Sequence, residues 1–205
     1  MPRVPSPLRA RRAVLAVVAA AVVPVVASCG SDRGAAATVG DESLSVSDLQ
    51  DEVVELRDAY GAEAVADTGQ VMRDRLQSFI IGSLIAQVAE QEGVSASGAD
   101  VSALISRVED SRDGDLSGFL EENLFTQESF EQAARTQVLL DELNEQLGGQ
   151  TGVQDAVLAA QDEVPISVNR RYGRWDAEQL SVVESQGSIA VAPLEDALDT
   201  ELAPE

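Results

Sequence analysis

Histidine and lysine are absent from this chain of 205 residues, and cysteine occurs once, at Cys29. Without histidine there is no nucleophile–imidazole pair, and with a single thiol there is no Cys- or His-based metal centre. A lone cysteine also rules out an internal disulfide, so the fold must hold on packing alone. Positive charge is scarce: 14 arginines face 36 acidic residues, for a formal net charge of −22. A surface of that sign repels nucleic-acid phosphates and anionic headgroups. Nucleic acid is therefore not expected as a partner, and no residue pattern asks for a cofactor.

What is present begins with an N-terminal address. Arg3, Arg9, Arg11 and Arg12 form a basic head, and Ala13 to Ser28 carry no charge. Small residues, Ala27 and Ser28, stand just before the thiol. This is the three-part layout of a secretory signal. The string Val26-Ala27-Ser28-Cys29 resembles a bacterial lipobox. That resemblance implies cleavage between Ser28 and Cys29, and a diacylglycerol on the Cys29 thiol. The alternative is a spanning helix with a chance cysteine, which needs about 20 apolar residues. Here the stretch is 16 residues long and Pro24 interrupts it. Two acyl chains suffice for stable anchoring where one does not. The expected location is the extracytoplasmic face of the cell membrane. Four of the 14 arginines lie before Cys29 and all 36 acids after it, so the cleaved chain would carry −26. Such a chain has no hold on a membrane except its lipid. About 177 residues would remain, enough for one domain with a core and some tail.

Residues 29–37 are small and polar and read as a flexible tether. Thr38 to Leu44 has an apolar–turn–apolar form, expected as a short strand or hairpin edge. Ser45 caps a first helix, with Leu49, Val53, Leu56 and Tyr60 on one side and Gly61 at its end. Asp67 and Gln70 open a second helix, in which Val71, Met72, Leu76, Phe79, Ile80, Ile81, Leu84, Ile85 and Val88 cover more than one face. A helix apolar on most sides is surrounded by others, so this one should be central. Ser97 and Asp100 open a third helix carrying Val101, Leu104, Ile105 and Val108. A short amphipathic piece with Leu116, Phe119, Leu120 and Leu124 follows. Thr126 then caps a last long helix, with Phe125 and Phe130 placed as a hydrophobic staple, and Gly148-Gly149 breaks it. Residues 150–163 offer another helical turn or two. Pro165 to Asn169 reads as extended. From Ala177 to Glu205 the chain is acidic and aperiodic, and is expected to be largely disordered.

Three patterns, in order, resemble the N-terminal peptide-binding domain shared by the SurA and PrsA extracytoplasmic chaperones and related to trigger factor. The first is Val39-Gly40-Asp41-Glu42-Ser43-Leu44-Ser45-Val46-Ser47-Asp48-Leu49. The second is Gly93-Val94-Ser95-Ala96-Ser97-Gly98-Ala99-Asp100-Val101, after the long helix. The third is Phe125-Thr126-Gln127-Glu128-Ser129-Phe130. The stretch Val168-Asn169-Arg170-Arg171-Tyr172-Gly173-Arg174-Trp175-Asp176 is similar to a closing strand in lipoproteins of this type from high-GC Gram-positive bacteria, with Arg170 in place of the usual proline. Arginine without lysine, beside abundant alanine and valine, agrees with such a genome. The resemblance covers residues 38–176. It implies a mainly α domain of four to five helices, whose N-terminal and C-terminal extended pieces pair into a small sheet. In the foldase members a parvulin prolyl-isomerase domain of about a hundred residues, domain-sized, follows the last helix. Only 18 residues, 148–165, run from the glycine pair that ends that helix to Ile166 here. The histidines and cysteine typical of a parvulin site are missing as well. No catalytic residue and no isomerase activity are expected.

The function that the resemblance implies is chaperone-like binding of unfolded or nascent secreted chains. An adaptor that holds one folded partner in the cell envelope is the alternative. A cradle of this kind needs exposed apolar surface and adaptable side chains. Tyr60, Met72, Phe79, Phe119 and Phe125 are the candidates, each weighed against ordinary core packing, which periodicity favours. Trp175 is expected to plug the junction of sheet and helices. The acidic clusters Asp48-Asp51-Glu52-Glu55 and Glu109-Asp110-Asp113-Asp115 match no calcium loop and show no facing catalytic pair. A solvated helix face is the expectation for both.

Overall fold

Short polar side chains decide where the helices start. In the computed structural model, which describes residues 34–185, five helices begin on a side chain that accepts an otherwise unpaired backbone N–H. Ser45 Oγ accepts from Asp48 N at 3.0 Å to start α1 (Val46–Tyr60). Asp67 Oδ1 accepts from Gln70 N at 2.9 Å to start α2 (Thr68–Glu92). Ser97 caps α3 (Gly98–Ser111), Asp115 caps α4 (Leu116–Glu122) and Thr126 caps α5 (Gln127–Gln146). Only the last cap is reciprocal: Ser129 Oγ accepts from Thr126 N while Thr126 Oγ1 accepts from Ser129 N, both at 3.0 Å. At α2 the Gln70 amide turns away and donates to Asp74 instead. Gly93, at φ 71°, closes α2 in the left-handed conformation that glycine adopts without a Cβ clash.

The 25-residue α2 is the centre of the domain, as its apolar coverage predicts. Leu76, Ile80 and Leu84 are fully buried. The main core gathers around them: Leu49 from α1, Leu139 and Leu143 from α5, and Val153, Val157 and Ala160 from α6 (Gln150–Glu163). A second cluster joins Val53 and Leu56 of α1 to Val65 and Val71. A third seats Val101 of α3 on Ala134 and Val138 of α5.

Strands β1 (Ala35–Val39) and β2 (Glu42–Ser45) form a hairpin across Gly40-Asp41. Gly40 has φ 57° at the first central position, where the turn type that matches strand twist calls for glycine. On the other side of β1 runs β3 (Ile166–Val168), antiparallel, with Ala37 opposite Val168 and Val39 opposite Ile166. The two ends of the domain thus pair, in the order β2-β1-β3. A separate two-stranded sheet joins β4 (Arg174–Asp176) to β5 (Ser181–Val183). Gly173 lies so close to it that an added Cβ would meet Val183 O at 2.6 Å.

Three sequence expectations need correction. The tether expected over 29–37 gives way to β1 at Ala35: Ala35, Ala36 and Ala37 are all buried. Their small side chains let the strand sit flat against α2, and alanine carries too little strand preference for a local reading to find it. Residues 150–163, expected to hold a turn or two, form the whole of α6, so there are six helices among the described residues rather than four to five. The disorder expected from 177 does not hold over the first part of that stretch, where Ser181–Val183 pair with β4 and Val182 is buried. Residues 186–205, the rest of that tail, and residues 1–33, with Ser28 and Cys29, lie outside the described residues.

Candidate functional site

Helices α1 and α5 each pack on α2, and between them and β2 lies an open groove of about 880 Å³. Its half-buried lining is mostly apolar: Leu44, Phe79, Ile81, Gly82, Phe125, Ala133 and Leu140. Gln77, Ser78, Gln132, Thr136 and Gln137 add side chains that can both donate and accept hydrogen bonds. The edge is acidic. Asp48, Asp51, Glu52 and Glu55 recur at i, i+3, i+4 and i+7 and so share one face of α1. With Glu42, Asp74 and Glu128 they make seven carboxylates around the groove, against one guanidinium, Arg75.

That guanidinium is already engaged. The Arg75 side chain is only 10% exposed, and its Nε lies 3.0 Å from Glu52 Oε1, off the line of a good hydrogen bond but well within ion-pair range. Its Nη2 donates to the carbonyl of Leu124, and its Cζ stands 5.2 Å from the centroid of the Phe125 ring. From the other side, Tyr60 Oη donates to the Phe125 carbonyl at 2.7 Å. Burial raises the Tyr60 phenol above its ordinary pKa, and the Glu121 and Glu55 charges add to the effect. Leu124 itself is left-handed, at φ 52°, a conformation costly for a residue with a Cβ. The turn between α4 and α5 is thus clamped by one side chain from α1 and one from α2. Phe125 also packs within a trio of rings, 6.5 Å from Phe119 and 5.8 Å from Phe130 between centroids.

Of the five residues singled out from the sequence, the fold brings Phe79 and Phe125 into the groove. Tyr60 holds Phe125 in place through its carbonyl. Phe119 stands behind Phe125, with Arg112 over its ring at 5.0 Å. Met72 is half-buried where the first and second clusters meet, away from the groove lining. Trp175 packs on the main core and donates to Gln161 of α6 at 3.4 Å, which places it at the junction of sheet and helices. The acidic face of α1, expected to be merely solvated, borders the groove. Arg75 was not singled out. Its signal is a charge four residues from both Val71 and Phe79, and therefore on the same side of α2 as those apolar positions.

A smaller recess of about 490 Å³ lies beside Val39, Gly40, Val164 and Pro165. Glu42 and Ser83 line both spaces, and the buried Ser83 Oγ donates to Glu42 Oε2 at 2.5 Å. Among the described residues no group of three or more acidic side chains is placed to hold a metal ion, and no helix is long and apolar enough to cross a membrane.

The helices α1, α2 and α5 thus form a cradle around an open, largely apolar groove. The chain belongs to the SurA-like N-terminal domain family, whose family model matches residues 9–144. The match runs through α1 to α4 and most of α5, and ends before α6 and the strands that follow. No curated protein and no solved structure shows a significant match. Domains of this family bind peptide in a chaperone-like way and are not themselves catalytic.

Proposed function

We propose that this protein is a membrane-anchored, ATP-free holdase, lipid-linked through Cys29, that binds unfolded or extended segments of secreted proteins outside the cytoplasmic membrane. The observation that carries the reading is the groove between α1, α2 and α5, apolar inside and open to solvent. Each client Leu or Phe side chain buried there contributes about 1.5–3 kcal/mol. Ordering an extended segment costs roughly 2–5 kcal/mol, so two or three anchors leave weak, quickly reversible binding. Reversible capture suits a factor that must release its client without ATP.

The absence of isomerase activity belongs to the same proposal. It is supported by residues 150–163, which fold as α6 and lead within a few residues into β3, where the foldase members carry their parvulin domain.

Full-length protein carrying Cys29→Ser is expected to suppress aggregation of a reduced model client. Gln132→Trp, at an exposed position in the groove wall, should abolish that suppression without a loss of stability. No suppression at several-fold molar excess, together with one stoichiometric partner in a pull-down, would replace the holdase with an adaptor. Catalysis in a proline-limited refolding assay would overturn the isomerase part. For the anchor, Cys29→Ser should release the protein to the medium or leave it uncleaved. Normal processing and retention in the membrane fraction would refute lipidation.

A further inference from the structure

Resting on the groove as the client site, we infer that the groove selects extended segments in which basic residues flank the apolar ones, and that the selection is made by its own rim rather than by the protein's net charge. Seven carboxylates border the groove, contributed by β2, α1, α2 and α5, and six of them belong to exposed residues. The one cation among them, Arg75, is taken up by Glu52, the Leu124 carbonyl and the Phe125 ring, so it offers nothing to an acidic client. A client whose side chains reach Phe79 or Leu140 lies in a groove that the carboxylates of α1 line from one helix and Glu128 from another. An extended chain sends successive side chains to opposite sides. An alternating segment can therefore place apolar groups inward while arginine or lysine meets the rim. The low-dielectric wall below the rim strengthens such contacts relative to bulk water. The remaining C-terminal residues, 186–205, carry five acids and no base, which makes them a poor occupant.

The test uses full-length Cys29→Ser protein and three fluorescent twelve-residue peptides with the same apolar positions, the other positions being Arg, Gln or Glu. Anisotropy titrations at low salt should give affinities in the order Arg, Gln, Glu, with Arg at least about tenfold tighter than Glu, a ratio that shrinks at high salt. The triple change Asp51→Asn, Glu55→Gln and Glu128→Gln should collapse that ratio to about threefold or less. Neutralising three exposed carboxylates away from the groove, Glu109→Gln, Asp110→Asn and Asp113→Asn, should leave it intact. Equal loss from both triple variants would mean that net charge alone selects, and would overturn the inference. If the Gln peptide binds and Gln132→Trp blocks it while Arg and Glu peptides bind alike, rim selection is wrong and the groove stands. If no peptide responds to Gln132→Trp, the groove itself is not the client site.

Discussion

The Tyr60 hydroxyl at the end of α1 donates to the backbone carbonyl of Phe125, 2.7 Å away across 65 residues of sequence. Together with Arg75 it holds the α4–α5 turn against the helices that form the groove. Tyr60→Phe keeps the ring and removes this bond. It should lower stability by about 0.5–1.5 kcal/mol, the usual net value of one hydrogen bond, read from urea unfolding at neutral pH. The raised phenol adds a pH signature. Stability from a group whose pKa folding raises is fully present below its ordinary value of 10.0 and is lost as pH rises through the elevated one. The stability difference between the native protein and Tyr60→Phe should therefore shrink above that pH. A constant difference through the alkaline range would show that the phenol is not held protonated by the fold.

Arg75→Ala strands Glu52 beside a low-exposure position and frees the Leu124 carbonyl. The cost should be about 3 kcal/mol, as when one partner of a mostly buried pair is removed. Arg75→Lys should recover less than half of it, since an ammonium cannot lie flat on Phe125 while also serving Glu52 and a carbonyl. Full recovery by lysine would reduce the contact to a simple charge pair.

The Tyr172 hydroxyl is buried without a hydrogen-bond partner among the described residues. Removing an unsatisfied buried group relieves its desolvation cost. Tyr172→Phe should therefore leave stability unchanged or raise it by about 1 kcal/mol, seen as a higher unfolding midpoint at unchanged slope. A loss above 1 kcal/mol would reveal a partner for that hydroxyl, such as a buried water.

Gly173→Ala should destabilise the β4–β5 pair. Its φ of 153° and the approach to Val183 O at 2.6 Å leave no room for a Cβ. A penalty of about 1–3 kcal/mol is expected from forcing a side chain into such backbone. The fluorescence of Trp175, the only tryptophan, reports it locally because that residue lies in β4. An unchanged emission maximum and midpoint would contradict the close approach.

Helix starts were legible because they are local: Ser45, Asp67, Ser97 and Thr126 each cap within three residues of themselves. The centrality of α2 was legible from composition, since no single face could hold all its apolar residues. Strand β1 was not, because Ala35-Ala36-Ala37 has nothing β-like until β2 and β3 flank it. Strand β5 was hidden in the same way, two valines in an acidic stretch gaining meaning only opposite Arg174 and Trp175. The candidate list mixed two kinds of residue. Periodicity marked Met72 and Phe79 alike as apolar positions of α2, yet only Phe79 borders the groove. Which apolar residue meets solvent depends on where α1 and α5 stop covering α2, and no local pattern contains that.

By itself the sequence determined the absence of imidazole and disulfide chemistry, the acidic surface, the helical class and the caps that start α1, α2, α3 and α5. All of these follow from composition or from neighbours a few residues apart. Tertiary structure alone decided that Asp48, Asp51, Glu52 and Glu55 border an apolar groove instead of facing open water. It also decided that Tyr60 and Arg75 reach 65 and 49 residues along the chain to secure one turn. The reason is physical: a carboxylate on a helix looks the same in sequence whether water or a groove lies beyond it. Only the packing of α1 and α5 on α2 sets which one does.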